Sequence, residues 1–369
     1  MSKRPSGVIA VFGAGFVWLS VGLPTLPAEA PDSGDNVSAY NLNADGSLTP
    51  IAGSPFAASS KPDSIAVDGK AKFLYVANGG GSDNVSAYRI AANGALGPVS
   101  GSPFPAGNLP SCVAVEPKAR FVYVVNESGS NVSAYVIDSD GALTPVAGSP
   151  FATGTGPHDI AIDPTGRFAY VTNEADNDVS AYRISSEGAL TPVPGSPFAA
   201  GGFPVCATVD AKSRFVYVAN QVSDNVSAYS IDSDGALRPV PGSPFAAGRG
   251  PFSIAIDSEA GFAYVVNEGD NDVSAYSIGS DGALKPVPGE PFAAGSNPHR
   301  IALDPMARFS FVVNEVSNDI SVYRIRHDGV LTAIEGSPFA GGIGPYAVVV
   351  DPTGRFVYVA NRGSHYPQR

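Results

Sequence analysis

Charge is what this chain has least of. Only 15% of its 369 residues are charged, against about a quarter in an average globular domain. The 22 lysines and arginines face 34 aspartates and glutamates, a formal net charge of −12. Basic runs are absent. A chain so poor in positive charge lacks the surface that nucleic-acid phosphates need. It also has no basic amphipathic segment to lie on an anionic membrane. Cysteine is scarce too. Cys112 in P-S-C-V-A-V and Cys206 in P-V-C-A-T-V occupy equivalent places two repeats apart. Strands so placed are separated by roughly 10 Å or more, beyond disulfide reach. Two small buried thiols are therefore expected, and no paired base marks either as a nucleophile. Helix is also expected to be nearly absent: Val, Ile, Tyr and Phe come in runs of about five, split by Gly, Pro, Asn and Asp.

What the chain has is repetition. V-S-A-Y or a close variant ends at Tyr40, Tyr88, Tyr135, Tyr182, Tyr229, Tyr276 and Tyr323, spaced by 48 residues once and by 47 thereafter. A second phrase, Y-V-x-N, ends at Asn78, Asn126, Asn173, Asn220, Asn267, Asn314 (as F-V-V-N) and Asn361. A fixed period in the forties, built of short apolar strands, predicts a β-propeller with one four-stranded sheet per period. The 42 glycines and 33 prolines recur at fixed places between the strands, so they mark turns rather than disorder.

One period reads as an antiparallel meander. In residues 157–192 the inner strand is D-I-A-I-D and the turn is P-T-G-R. The second strand is F-A-Y-V-T, the third V-S-A-Y-R-I, and the outer one A-L-T-P-V. The phrase G-S-P-F-A-A-G then leads to the next blade. The first V-S-A-Y lacks a preceding Y-V-x-N, and the last Y-V-A-N lacks a following V-S-A-Y. Residues 36–51 are thus expected to join residues 345–360 in one composite blade. That gives an all-β, seven-bladed propeller over residues 35–369, its last blade closed by N- and C-terminal strands that would otherwise be exposed edges.

Residues 1–34 do not fit the repeat. Lys3 and Arg4 precede an apolar run from Val8 to Leu23, and Ala28-Glu29-Ala30 follows, the layout of a secretory signal. Gly13, Gly15 and Gly22 interrupt the run and Pro31 follows the small residues, so an uncleaved anchor or a disordered tail stays open as well. No membrane span is expected in the mature chain. Export to periplasm, medium or cell surface is the expected destination, with the cytoplasm left open.

Several motifs have plain explanations. Asp138-Ser139-Asp140-Gly141 and Asp232-Ser233-Asp234-Gly235 look like the start of a calcium loop, but no Glu stands where the bidentate ligand belongs. A hairpin turn needs only a Gly and a small polar residue there. Asn36, Asn84, Asn131 and Asn225 open N-V-S sequons that also belong to the repeat phrase. The Asn closing Y-V-x-N recurs in every blade and is read as a buried amide capping loop backbone. What breaks the symmetry is the candidate for function. Two positions per blade vary: the residue after that Asn (Gly79, Glu127, Glu174, Gln221, Glu268, Glu315, Arg362) and the residue after the inner-strand Pro (Asp63, Ser111, His158, Val205, Phe252, His299, Tyr346). Both should ring one channel mouth. Ionisable groups concentrate in His158 with Glu174, in His299 and Arg300 with Glu315, and in Arg362 with His365. A His beside a carboxylate suits general base work, and an Arg suits an anion or oxyanion. No metal is expected, since the His and Glu pairs lie three blades apart, and no cofactor is expected.

The phrases D-P-T-G-R-F-A-Y-V-T-N-E, V-S-A-Y and Y-V-A-N-R-G resemble the lactonase family of seven-bladed propellers, which includes the 6-phosphogluconolactonase type. They also resemble the Y-V-T-N repeat proteins of microbial surfaces. The resemblance implies an Arg after the inner-strand Pro, a Glu sixteen residues on in N-E, and an Arg in N-R-G. Glu315 and Arg362 match the last two. His299 stands in the first Arg's place, with Arg300 one position on, where strand alternation would turn it to the opposite face. His158 and Glu174 form a similar set in an earlier blade. The resemblance implies hydrolysis of a small sugar or acid lactone, with His299 or Glu315 activating water and Arg300, Arg362, His158 and Glu174 binding the substrate. A small lactone or anionic sugar would be the ligand. The near-identical blades keep a second class open: a non-catalytic exported propeller that binds a protein or envelope partner.

Overall fold

The computed structural model describes residues 34–363, apart from 258 and 260. The expected signal or tail region, residues 1–34, lies outside the described residues except for Gly34, as does His365. Among the described residues there is no helix, and seven antiparallel sheets follow one another around a ring. Each contains the four-stranded meander read from the sequence. In the blade that begins at Pro157, Pro157–Ile162 pairs with Phe168–Asn173, which pairs with Asp178–Ile184, which pairs with Leu190–Pro192. A fifth strand of two residues, Phe198–Ala199, completes the outer edge by pairing with Asp178 and Val179. The phrase G-S-P-F-A, expected only to carry the chain onward, therefore also finishes the sheet it leaves. The Ser-Pro bond inside it is cis, with Glu290 in place of Ser in one blade.

The seventh blade closes as expected. Pro345–Val350 pairs with Phe356–Arg362, which pairs with Asp35–Leu42, which pairs with Leu48–Pro50. The closing register runs from Asp35 opposite Arg362 to Asn41 opposite Phe356.

Second strands are buried along nearly their whole length, while V-S-A-Y strands bury their central four residues. Seven apolar clusters result, one at each blade-to-blade interface. A fully buried Val, Leu or Phe contributes about 1.5–3 kcal/mol, so each interface is a small core in its own right. Tyrosines tie the blades together in both directions. The V-S-A-Y tyrosine donates to a carbonyl of the preceding blade's fifth strand, as Tyr229 does to Ala199 at 2.6 Å. The second-strand tyrosine donates to the turn glycine of the following blade, as Tyr217 does to Gly282 at 2.9 Å. That glycine has positive φ (+87°), and its Cβ-less side packs on Phe215, so no other residue fits.

The closing amide of Y-V-x-N plays the scaffold role expected of it. Asn220 Nδ2 donates to Asn225 Oδ1 (2.7 Å) and Ser227 Oγ (2.9 Å), and its Oδ1 accepts from the Gly201 N–H (3.1 Å). Sequon asparagines such as Asn225 and Asn131 are thus part of the repeat's own hydrogen-bonding. No helix of the described residues is long and apolar enough to cross a membrane.

Candidate active site at the channel mouth

Each inner strand enters the ring with a residue in the left-handed region just before its proline; in one blade that residue is Asn297, at φ +55°. The ladder then slips by one residue. Pro298 faces Asn314 and Arg300 faces Val313, leaving His299 as the extra residue of a bulge. The expectation that His299 and Arg300 point to opposite faces is corrected by this bulge. Alternation is suspended there, and both side chains serve the channel: His299 at its mouth and Arg300 in its lining.

The mouth is floored by aromatic rings from across the propeller. Phe252 meets His299 edge-on at 4.5 Å between centroids, and Tyr346 lies 4.3 Å from His299. His158 meets Phe252 at 5.7 Å. His299 is 7% exposed and Glu315 10%, and their Nε2 and Oε2 atoms are 2.8 Å apart. Asn297 Nδ2 donates to the same Oε2 at 3.0 Å and also sits 3.0 Å from His299 Nε2. Asn297 is itself held by its own N–H, which donates to Asn271 Oδ1 at 2.7 Å. Burial works to raise the Glu315 carboxyl. The hydrogen bond and charge of His299, with Arg362 and Asn297, outweigh it and hold the group below its ordinary value. His299 Nδ1 is buried without a partner.

The second expected pair, His158 with Glu174, does not form. His158 Nδ1 bonds the Val205 carbonyl at 2.7 Å, so that nitrogen carries the ring's proton. Burial, then the charge of Arg300, lowers His158 to about 4, and the ring is neutral. Glu174 has Glu127 for an electrostatic neighbour instead. Burial first and Glu127 second raise it to about 7.

Both arginines expected to bind an anion already have carboxylate partners. Arg362 Nε donates to Asp63 Oδ1 at 2.5 Å in a pair less than a tenth exposed, with its guanidinium over the Tyr346 ring. Arg300 Nη2 lies 3.6 Å from Asp159 Oδ1. Deeper in the channel, a cavity of about 230 Å³ is lined by Ser64, Cys112, Asp159, Cys206, Ser253 and Arg300. The cysteines are free, and Cys112 Sγ donates to Asp159 Oδ1 at 2.9 Å. Burial pushes both thiols up, Cys206 to about 12, so they serve as neutral hydrogen-bond groups. Among the described residues no cluster of His, Cys, Asp and Glu could hold a metal ion.

Reading the sequence placed Asp63 in the variable ring without assigning it a role, and did not single out Asp159 or Asn297. Asp159 had a visible signal. At its position the other blades carry Ser64, Cys112, Cys206, Ser253, Arg300 and Ala347, so one acid and one base stand alone in a ring of small side chains. Asn297 had one as well, since Lys61, Leu109, Phe203 and glycines fill its place elsewhere.

No protein of curated function matches the sequence. Solved structures do. A candidate 6-phosphogluconolactonase of Bacteroides fragilis superposes with a TM-score of 0.72 at 18% identity, over 86% of this chain and 98% of that one. The periplasmic gluconolactonase of Pseudomonas aeruginosa gives 0.68 at 20% identity, over 83% and 97%. An inactive virginiamycin B lyase of Staphylococcus aureus, solved with quinupristin, gives 0.55 at 13% identity, over 88% and 98%. At such identities these likenesses concern the fold, which hosts more than one chemistry. The family model described as lactonase, 7-bladed beta-propeller, matches residues 28–203 and 204–366, and with nearly the whole ring so matched, the chain belongs to that family.

Proposed function

We propose that the protein hydrolyses a small lactone at the channel mouth. One observation carries this reading: the buried His299–Glu315 pair, bridged by Asn297, in the one blade that combines these three residues. Glu315 is held ionised, with Oε2 accepting from Asn297 and paired with His299, which leaves Oε1 as the working base. Oε1 takes a proton from water as the water oxygen adds to the lactone carbonyl. The ring C–O bond then breaks, and the departing alkoxide recovers that proton. The product is the open hydroxy acid. His299 and Asn297 fix the carboxylate in one orientation, which is most of what a positioned base needs.

The test is hydrolysis of a lactone panel beginning with glucono-1,5-lactone, measured above the spontaneous rate. Glu315→Gln is expected to lower kcat/KM by about 100-fold or more while leaving the melting temperature in place. Unchanged turnover in that variant overturns the assignment.

A second reading, a partner-binding and exported propeller, is supported by Val222 and Val316. They are 71% and 61% exposed on the same loops that carry Gln221 and Glu315. A folded protein with no turnover on any lactone favours it.

A further inference from the structure

The charge at the mouth does not suit a phosphorylated substrate. The ring of residues that follow Y-V-x-N contributes Glu127, Glu174, Glu268 and Glu315, and Asp63 stands beside it. Against these five carboxylates stand Arg362 and Lys61, the latter acting on both Asp63 and Glu127. Arg362 is consumed: its guanidinium is buried, bonded to Asp63 and stacked on Tyr346. Arg300 is turned to Asp159 in the channel lining. Glu268 accepts a bond from Gln221 at 2.8 Å, which leaves its charge in place. Glu127 and Glu174, from adjacent blades, have no ion-pair partner among the described residues. An incoming dianion finds each nearby guanidinium already facing a carboxylate, Arg362 bonded to Asp63 and Arg300 3.6 Å from Asp159, and meets an excess of negative charge in a partly desolvated recess, where repulsion is least screened.

Resting on the lactonase reading, we infer that the site selects uncharged lactones and rejects phosphorylated or carboxylated ones, and that Glu127, Glu174 and the Asp63–Arg362 pair set this selectivity. The same field favours departure of the carboxylate product.

The experiment compares kcat/KM for glucono-1,5-lactone and its 6-phosphate at about pH 8, where the carboxylates are ionised. The expected result is a preference of about 10-fold or more for the uncharged lactone at low salt. Raising ionic strength from about 0.01 M to about 1 M shortens the screening length from about 30 Å to about 3 Å. The preference should then narrow, through a lower KM for the phosphate alone. The double variant Glu127→Gln/Glu174→Gln should narrow it in the same way, by lowering KM for the phosphate. A phosphorylated lactone used as well as the uncharged one at low salt overturns the inference and leaves the lactonase reading standing. So does a preference that neither salt nor the double variant moves. Turnover of neither substrate removes both.

Discussion

At the scale of single residues, spacing proposed two His–Glu pairs, and one of them forms. His158–Glu174 and His299–Glu315 are each sixteen positions apart. The difference lies two residues before each His. Asn297 bridges its pair, where Gly156 offers no side chain, and the Val205 carbonyl takes the His158 ring. Glu174, left beside Glu127, is raised from 4.5 to about 7. A carboxyl raised on folding contributes stability below its unfolded value and loses it as pH rises through the folded one. Glu174→Gln should therefore stabilise the protein by about 1 kcal/mol at pH 8, after allowance for solvent screening, and change nothing near pH 4. Melting curves at the two pH values check this. His158 runs the other way. Its lowered value gives stability above about 6.5 that fades as pH falls toward 4. Arg362→Ala is a poor probe of catalysis, since it strands Asp63 in a buried site. A loss of about 3–5 kcal/mol is expected, read as an earlier urea midpoint, and Asp63→Asn in the same chain should recover part of it.

At the scale of elements, the strands were legible because alternation, β-branched runs and Gly-Pro punctuation all recur at one period. The two-residue fifth strand was not, because two residues carry no periodicity. The bulge at His299 was hidden for a similar reason: a slipped ladder is a property of two strands, and the sequence shows one at a time. The tyrosine locks expose one irregular blade. Six second strands place a tyrosine against a neighbouring turn glycine, but the seventh has Phe311, fully buried. Beside it, Ser310 Oγ is buried with no partner. Phe311→Tyr should supply the missing bond to the Gly46 turn and add about 1 kcal/mol. Ser310→Ala should add a similar amount by removing an unsatisfied hydroxyl. Both gains should appear as a later urea midpoint at unchanged slope.

At the scale of the whole molecule, closure was the most legible feature, since incomplete phrases at the two ends complete each other. Charge pairing was the least. It depends on which blades adjoin or face one another around the ring, and no local window of sequence contains that. Gly34 and Gly363 lie against each other, so residues 34 and 363 can be joined by a short linker and the chain opened between Ser186 and Glu187, both exposed. Such a permutant should fold to the same ring within about 2 kcal/mol of the parent, as calorimetry would show. The natural order of synthesis has its own consequence. Asp63 is made early and its partner Arg362 comes 299 positions later, on the strand that completes the seventh blade. A nascent chain still short of that strand leaves Asp63 without the guanidinium that pairs with it, so ring closure and this charge pairing are completed together.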